Sequence, residues 1–185
     1  MRILKSIALA ALLLAGTALH AAAQRGQMQQ IGSFVIFPDA DPITDMNRTT
    51  AMTPSADSLA FVGWQCHGDT AGMFVVMEGT PGGDEADIMY RFDQDAPDST
   101  VLAQTGQDGK VWLWFPLDET YALTQRAMTA SRLVVRWWDV DESTNDLIFN
   151  LGNSGRALRS LPCVTNARPP VIGSPARRKA SEKPG

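Results

Sequence analysis

Asp87-Ile88-Met89-Tyr90-Arg91-Phe92-Asp93 is the stretch that decides the fold class. Ile88, Tyr90 and Phe92 fall on one side of an extended chain, and Asp87, Met89, Arg91 and Asp93 on the other. A strand with one buried face has this pattern, because successive side chains of a pleated backbone point to opposite sides. Downstream, Gly106-Gln107-Asp108-Gly109 has hairpin-turn chemistry, and Val111 to Phe115 is apolar on both faces, as a central strand would be. Arg132 to Asp139 and Asp146 to Leu151 form a last pair. Upstream, Leu59 to Cys66 and Met73 to Glu78 fold back across His67-Gly68-Asp69. Ser33 to Phe37 and the more polar Met46 to Thr53 complete the strands.

Two segments break the period of two. Asp118 is placed to cap a helix running to about Ala130, with Tyr121, Leu123, Ala127 and Met128 on its buried side. Ser154 is placed to cap a shorter one carrying Ala157, Leu158 and Leu161, which Pro162 should stop. The expectation is a mainly β (α+β) domain: an antiparallel sheet or sandwich of about seven strands with two short helices.

The chain has 185 residues, 44% of them apolar and 19% charged, with a formal charge of −4. That suits one compact domain, and excludes wholesale disorder, collagen-like repeats and multi-span membrane classes. Residues 1–23 read as a signal peptide. Arg2 and Lys5 start it, Ile7 to Leu19 is an apolar stretch of 13 residues, and Ala21-Ala22-Ala23 offers a cleavage site. Thirteen residues are too few for a bilayer span, which needs about 20, so no membrane span is expected after cleavage. Residues 24–32 look like a flexible lead-in and 33–163 like a single β-rich domain. The Pro-rich basic stretch 164–185 looks like a disordered tail.

Export sets the reading of the two cysteines. Cys66 and Cys163 are the only pair, 97 residues apart, and an oxidising compartment lets them join. A metal would want clustered ligands, which this chain lacks. Charge is uneven as well. Residues 30–163 hold 19 acidic and 8 basic side chains, a net of −11, while residues 164–185 carry a net of +4. An acidic body repels phosphates, so nucleic acid is not an expected partner. Arg177, Arg178 and Lys179 in the tail would give anionic polymers only a weak, salt-sensitive attraction.

The order of motifs carries a resemblance. Tyr90-Arg91-Phe92-Asp93 precedes a Trp-bearing strand and a helix rich in Ala and Met. Arg132-Leu133-Val134-Val135-Arg136 follows, then Phe149-Asn150-Leu151-Gly152, Gly155, Ala157-Leu158, Leu161 and Cys163. Over roughly residues 44–163 this resembles the VasI-like family of small exported bacterial proteins, some of which accompany type VI secretion genes. Gln65 stands where that family usually has an Arg before its first Cys. The resemblance implies an accessory role at an envelope or secretion machine, and brings no catalytic residues with it.

The residues point to no catalytic site and no cofactor. His67 is the one imidazole left after leader removal, and it lies in a polar turn rather than beside a nucleophile. Neither GxSxG, a P-loop nor a dinucleotide fingerprint is present. Glu78, Glu85 and Glu119 are available for glycosidic acid–base chemistry, but with 19 acidic residues in the domain a solvated acidic face explains them far better. Asp39-Ala40-Asp41 with Asp45, Asp93-Gln94-Asp95 with Asp98, and Asp139-Val140-Asp141 with Ser143 and Asn145 space oxygen ligands as calcium loops do. The third has Thr144 where the loop Gly belongs and Asn150 where the closing Glu belongs, so no metal is expected.

Aromatic residues offer the remaining signal. Trp112, Trp114 and Trp137 are assigned to the core. Trp138 shares its strand face with Arg132 and Arg136, and with Arg91 these form a candidate surface patch, in which Arg is expected to stack on Trp. The leading expectation is therefore a non-enzymatic exported binding or accessory domain, periplasmic or secreted, whose partner is a protein of the cell envelope. An alternative is a periplasmic inhibitor of a cationic hydrolase such as lysozyme, motivated by the −11 charge. A carboxylate-based glycan hydrolase is a third.

Overall fold

The computed structural model describes residues 27–79, 82–138 and 143–165. The predicted signal peptide, the tail beyond residue 165 and the carboxylates of residues 139–142 lie outside the described residues. The strands are β1 (Gln29–Ile31), β2 (Phe34–Phe37), β3 (Thr50–Pro54), β4 (Ala60–His67), β5 (Thr70–Glu78), β6 (Glu85–Phe92), β7 (Asp98–Gln107), β8 (Lys110–Trp114), β9 (Arg132–Trp138) and β10 (Thr144–Asn150). Three short helices accompany them: α1 (Leu117–Ala127), α2 (Ser154–Arg159) and α3 (Pro162–Thr165). All ten strands form one sheet in the order β1-β2-β3-β4-β5-β8-β7-β6-β9-β10, every pair antiparallel.

Turn chemistry fixes the tight hairpins. Asp108 and Gly109 both take positive φ, 52° and 72°, the mirror-image turn that matches strand twist between β7 and β8. β5 then pairs with β8 rather than with β6, so the β6-β7-β8 meander is laid down in reverse. That reversal brings β6 beside β9, and the candidate patch depends on this contact.

The inward faces supply one core. Ile36, Ala51, Trp64 and Met73 make one cross-strand row, and Thr53, Val62, Val75, Leu113 and Gln104 make another. The sheet curls around them until β10 meets the chain just past β3. There Ala56 N–H donates to the Ile148 carbonyl at 2.7 Å, and Ser55 bridges Phe149. Helix α1 packs on β5. Its Thr124 hydroxyl accepts from Trp64 Nε1 at 3.0 Å and donates to the Thr120 carbonyl at 2.7 Å, so the buried indole N–H is satisfied. Cys66 and Cys163 are joined, tying α3 to β4.

The β-rich class is as expected, but ten strands replace about seven. β1 lies within the predicted flexible lead-in, where Gln29, Gln30 and Ile31 pair with Ile36, Val35 and Phe34. β7 has no apolar alternation because two of its inward positions are Thr100 and Gln104. β3 starts at Thr50 rather than Met46, since Asp41 Oδ1 holds the preceding loop by accepting from Ile43 N–H (3.0 Å) and Thr44 N–H (2.9 Å). Asp118 and Ser154 are first-turn or first helical residues rather than caps, and α1 starts directly after Pro116. Ser154 Oγ instead donates to the Ala127 carbonyl at 2.6 Å, joining α2 to α1. The helix at Ser154 ends at Arg159, before Pro162 as expected, and Pro162 then opens α3, as its fixed φ permits at a first helical position. Regular structure therefore runs to Thr165, past the predicted boundary at Cys163.

Trp112 and Trp114 correct a further expectation. Both point to the outer face, their rings 6.1 Å apart, and each lies 5.1 Å from the Phe74 ring. Phe74 is buried beneath them against Gly63 of β4. A methyl group at residue 63 would stand 2.5 Å from Phe74 Cζ, and the two indoles block the ring's retreat. Gly63→Ala should therefore destabilise the domain by about 1–3 kcal/mol, measured by urea denaturation. Replacing both Cys66 and Cys163 by Ala should cost about 2–5 kcal/mol in the same measurement, since the bridge closes a 97-residue span.

Candidate functional site

The outer face of β6, β9 and β10 follows from the alternation that buries Ile88, Tyr90 and Phe92. With those three inward, Met89 and Arg91 must point out. On β9, Leu133 and Val135 are buried, which turns Arg132, Val134, Arg136 and Trp138 outward. On β10, Leu147 and Phe149 are buried, leaving Asp146, Ile148 and Asn150 outside. Register then aligns the rows. Arg91, Val134 and Ile148 stand side by side across the three strands, as do Met89, Arg136 and Asp146.

These side chains enclose a groove of about 290 Å³. Its floor is Met89, Val134 and Ile148, and its rim is Arg91, Arg132 and Arg136. One rim arginine is already satisfied. Arg136 Nε and Nη2 donate to the two carboxylate oxygens of Asp146 at 2.6 Å each, a two-pronged pair with both side chains nearly half exposed. The hydrogen bonds from Arg136 hold the Asp146 carboxyl below the usual carboxylate range, and the charge of Arg91 adds to the effect. Arg136 is shifted up in turn by its bonds to Asp146.

Arg91 and Arg132 differ from Arg136. Among the described residues, neither guanidinium has a hydrogen bond or an ion pair. Asp93, two residues beyond Arg91 and bonded through its N–H to the Arg132 carbonyl (3.0 Å), turns its carboxylate to the backbone N–H groups of Ser131 (3.0 Å) and Arg132 (2.9 Å). The groove is therefore a locally basic strip with an aliphatic floor on a domain whose net charge is −11.

Three of the four predicted patch residues are thus brought together, and Trp138 is set apart. It lies one step beyond Arg136 on the same face, is 41% exposed and does not line the groove. No arginine stacks on it among the described residues. The cation–π contacts there belong to Arg126, whose guanidinium carbon lies 4.8 Å from the Phe92 ring centre and 6.0 Å from that of Tyr90. Arg126 also binds Asp98 (2.6 Å) and Asp95 (3.3 Å), which raises its pKa. Met89, Val134, Asp146 and Ile148 join the predicted arginines in lining the groove. Their outward position follows from alternation, but their convergence needs the β9–β10 register and the β6–β9 contact.

The remaining candidates have other partners. Arg48 pairs with Asp39 (3.5 Å) and Asp41 (3.6 Å), so two of the predicted calcium clusters face guanidinium groups. His67 is exposed at the end of the β4–β5 hairpin, its ring 6.0 Å from that of Trp114. Glu119 accepts from the Thr100 hydroxyl at 3.3 Å, and Glu78 lies opposite Lys110. A smaller groove elsewhere on the sheet, lined by Leu59, Phe61, Val76 and Lys110, also holds one carboxylate, Glu78, as the first holds Asp146.

Fold and site together define a disulfide-tied, mainly β domain with an arginine-rimmed groove on one sheet face. No family model and no curated protein matches the chain. In fold it is similar to the crystal structure of invasion associated protein B from Bartonella henselae, at a TM-score of 0.56 and 10% sequence identity. The match covers 76% of this chain and 99% of that one. Among the described residues no helix is long and apolar enough to cross a membrane.

The Arg136–Asp146 pair yields a direct test. A carboxyl whose folded pKa is depressed contributes stability above its unfolded pKa and loses it as pH falls through the folded value. The Asp146 carboxyl carbon, followed by NMR, should titrate below the ordinary aspartate range, and Arg136→Ala should return it to that range.

Proposed function

We propose that this chain is an exported, non-enzymatic binding domain of the bacterial envelope. It engages a protein partner through the outer face of β6, β9 and β10. The observation that carries the proposal is the presence of two guanidinium groups, Arg91 and Arg132, with neither a hydrogen bond nor an ion pair among the described residues. They flank an aliphatic floor, and binding surfaces commonly combine arginine with exposed apolar side chains in this way. A basic strip on an acidic body also orients an approaching partner.

Compartment enters through the disulfide, which an oxidising environment maintains, and through the leader expected at residues 1–23. The resemblance to VasI-like proteins supports a partner in a secretion-associated assembly of the envelope. The fold likeness to invasion associated protein B is compatible with an accessory role.

Photo-crosslinking in the producing cells tests the proposal. A photoreactive residue is placed at Met89, in the groove, or at Thr105, on the outer face opposite Trp112. The expected result is a discrete adduct with one envelope protein from position 89 that persists at physiological salt, with none from position 105. Adducts from position 105 alone would move the interface to the aromatic face. Capture of a cationic hydrolase only at low salt would replace the proposal by the inhibitor reading.

A further inference from the structure

The groove's chemistry goes further than an interface in general. Resting on the reading above, we infer that it is a carboxylate-recognition site for an extended acidic segment of the partner. In that site Arg91 and Arg132 receive the carboxylate, and Val134 with Ile148 receives an aliphatic side chain two residues away along the segment.

Three observations lead there. First, Arg91 lies opposite Val134 in register, and Arg132 and Arg136 flank Val134 on the same face, so three guanidinium groups surround one aliphatic side chain. Second, the one acidic side chain lining the groove, Asp146, already binds Arg136 in the two-pronged geometry that arginine offers carboxylates. This face therefore shows how its arginines hold a carboxylate, and leaves two of them with no hydrogen-bonded or ion-paired carboxylate among the described residues. Third, Arg132, Val134 and Arg136 repeat at every second residue of β9. An extended peptide lying along β9 repeats its own same-side side chains at the same spacing, about 6.6–6.8 Å. Charge complementarity and spacing together select an acidic, extended, partly aliphatic segment. A flat sugar would want an exposed aromatic platform, and the floor here is Met89, Val134 and Ile148.

Asp146 has a defined part in this site. It occupies Arg136 and repels an incoming carboxylate, so it limits affinity while fixing where the ligand's charge can sit. Neutralising it should free Arg136 and strengthen binding, the opposite of what loss of a merely structural ion pair would do.

The test uses the full chain and a synthetic probe, rhodamine-labelled Ser-Leu-Ser-Glu-Ser-amide, with Ser-Leu-Ser-Gln-Ser-amide as its neutral counterpart. Fluorescence polarisation should show the Glu probe binding about tenfold more tightly than the Gln probe. Arg91→Ala and Arg132→Ala should each weaken the Glu probe about three- to tenfold, and Asp146→Asn should tighten it about threefold. Circular dichroism checks that each variant remains folded, and Arg132→Lys should restore only part of the binding, since a point charge lacks the fork. Equal affinity for the two probes, or weaker binding by a folded Asp146→Asn protein, would overturn the inference. If the Met89 crosslink persists while the probes bind equally, carboxylate recognition falls and the binding-domain reading stands. If the Glu preference holds but no protein crosslinks at Met89, the protein partner falls and the carboxylate site remains.

Discussion

Everything on the arginine-bearing face depends on the two-residue period of the pleated chain at β6, β9 and β10. Each of these strands buries an unbroken set of inward residues: Ile88, Tyr90 and Phe92, then Leu133 and Val135, then Leu147 and Phe149. A slip of one residue in any of them would send aromatics to solvent and arginines into the core, which burial energetics forbid. The outward positions of Arg91, Arg132 and Arg136 are thus enforced by the core rather than chosen by the surface. Their side chains start from fixed backbone positions, and a recognition site gains precision when it rests on regular strands rather than on loops.

The rest of the molecule keeps that platform in place. The curl of the sheet returns β10 to the chain after β3, so the last strand is bonded on both sides near Ile148 instead of ending as an open edge there. The chain beyond β10 is pinned twice, by Ser154 to α1 and by Cys163 to β4. Helix α1 in turn is fixed to the sheet through Trp64 and Thr124. On the inner side, Arg126 rests on Phe92 and Tyr90, while Arg91, between them in sequence, points the other way. Arg126 is thereby a structural arginine, neutralised by Asp95 and Asp98, and the contrast with Arg91 and Arg132 is one of partners rather than residue type.

Much of this was legible in the sequence where apolar alternation is strong. The β4–β5 and β7–β8 turns, the inward set of β6 and the Cys66–Cys163 pairing all follow from residue pattern and turn chemistry. β1 and β7 were not legible, because backbone pairing holds Gln29 and Gln30, and a buried Gln104 occupies an inward position. Trp112 and Trp114 misled for a different reason. The doubly apolar strand is central in the sheet, as expected, between β5 and β7, yet its outer face is covered by its own aromatics packing over Phe74. The patch arginines could be placed on one strand face from spacing alone. Asp146 could not, since its pairing with Arg136 requires the β9–β10 register. Trp138 was expected under an arginine, and Arg136 turned to a carboxylate instead, a partner that satisfies two of its donors at once.

The proposed recognition is on the arginine-rimmed face and not on the aromatic one. Backbone amide chemical-shift mapping with unlabelled Ser-Leu-Ser-Glu-Ser-amide tests it most directly. Shifts should concentrate at Met89, Arg91, Arg132, Val134, Arg136 and Ile148, with Phe74, Trp112 and Trp114 unmoved. Shifts concentrated at Phe74, Trp112 and Trp114, or scattered over the acidic loops, would contradict it.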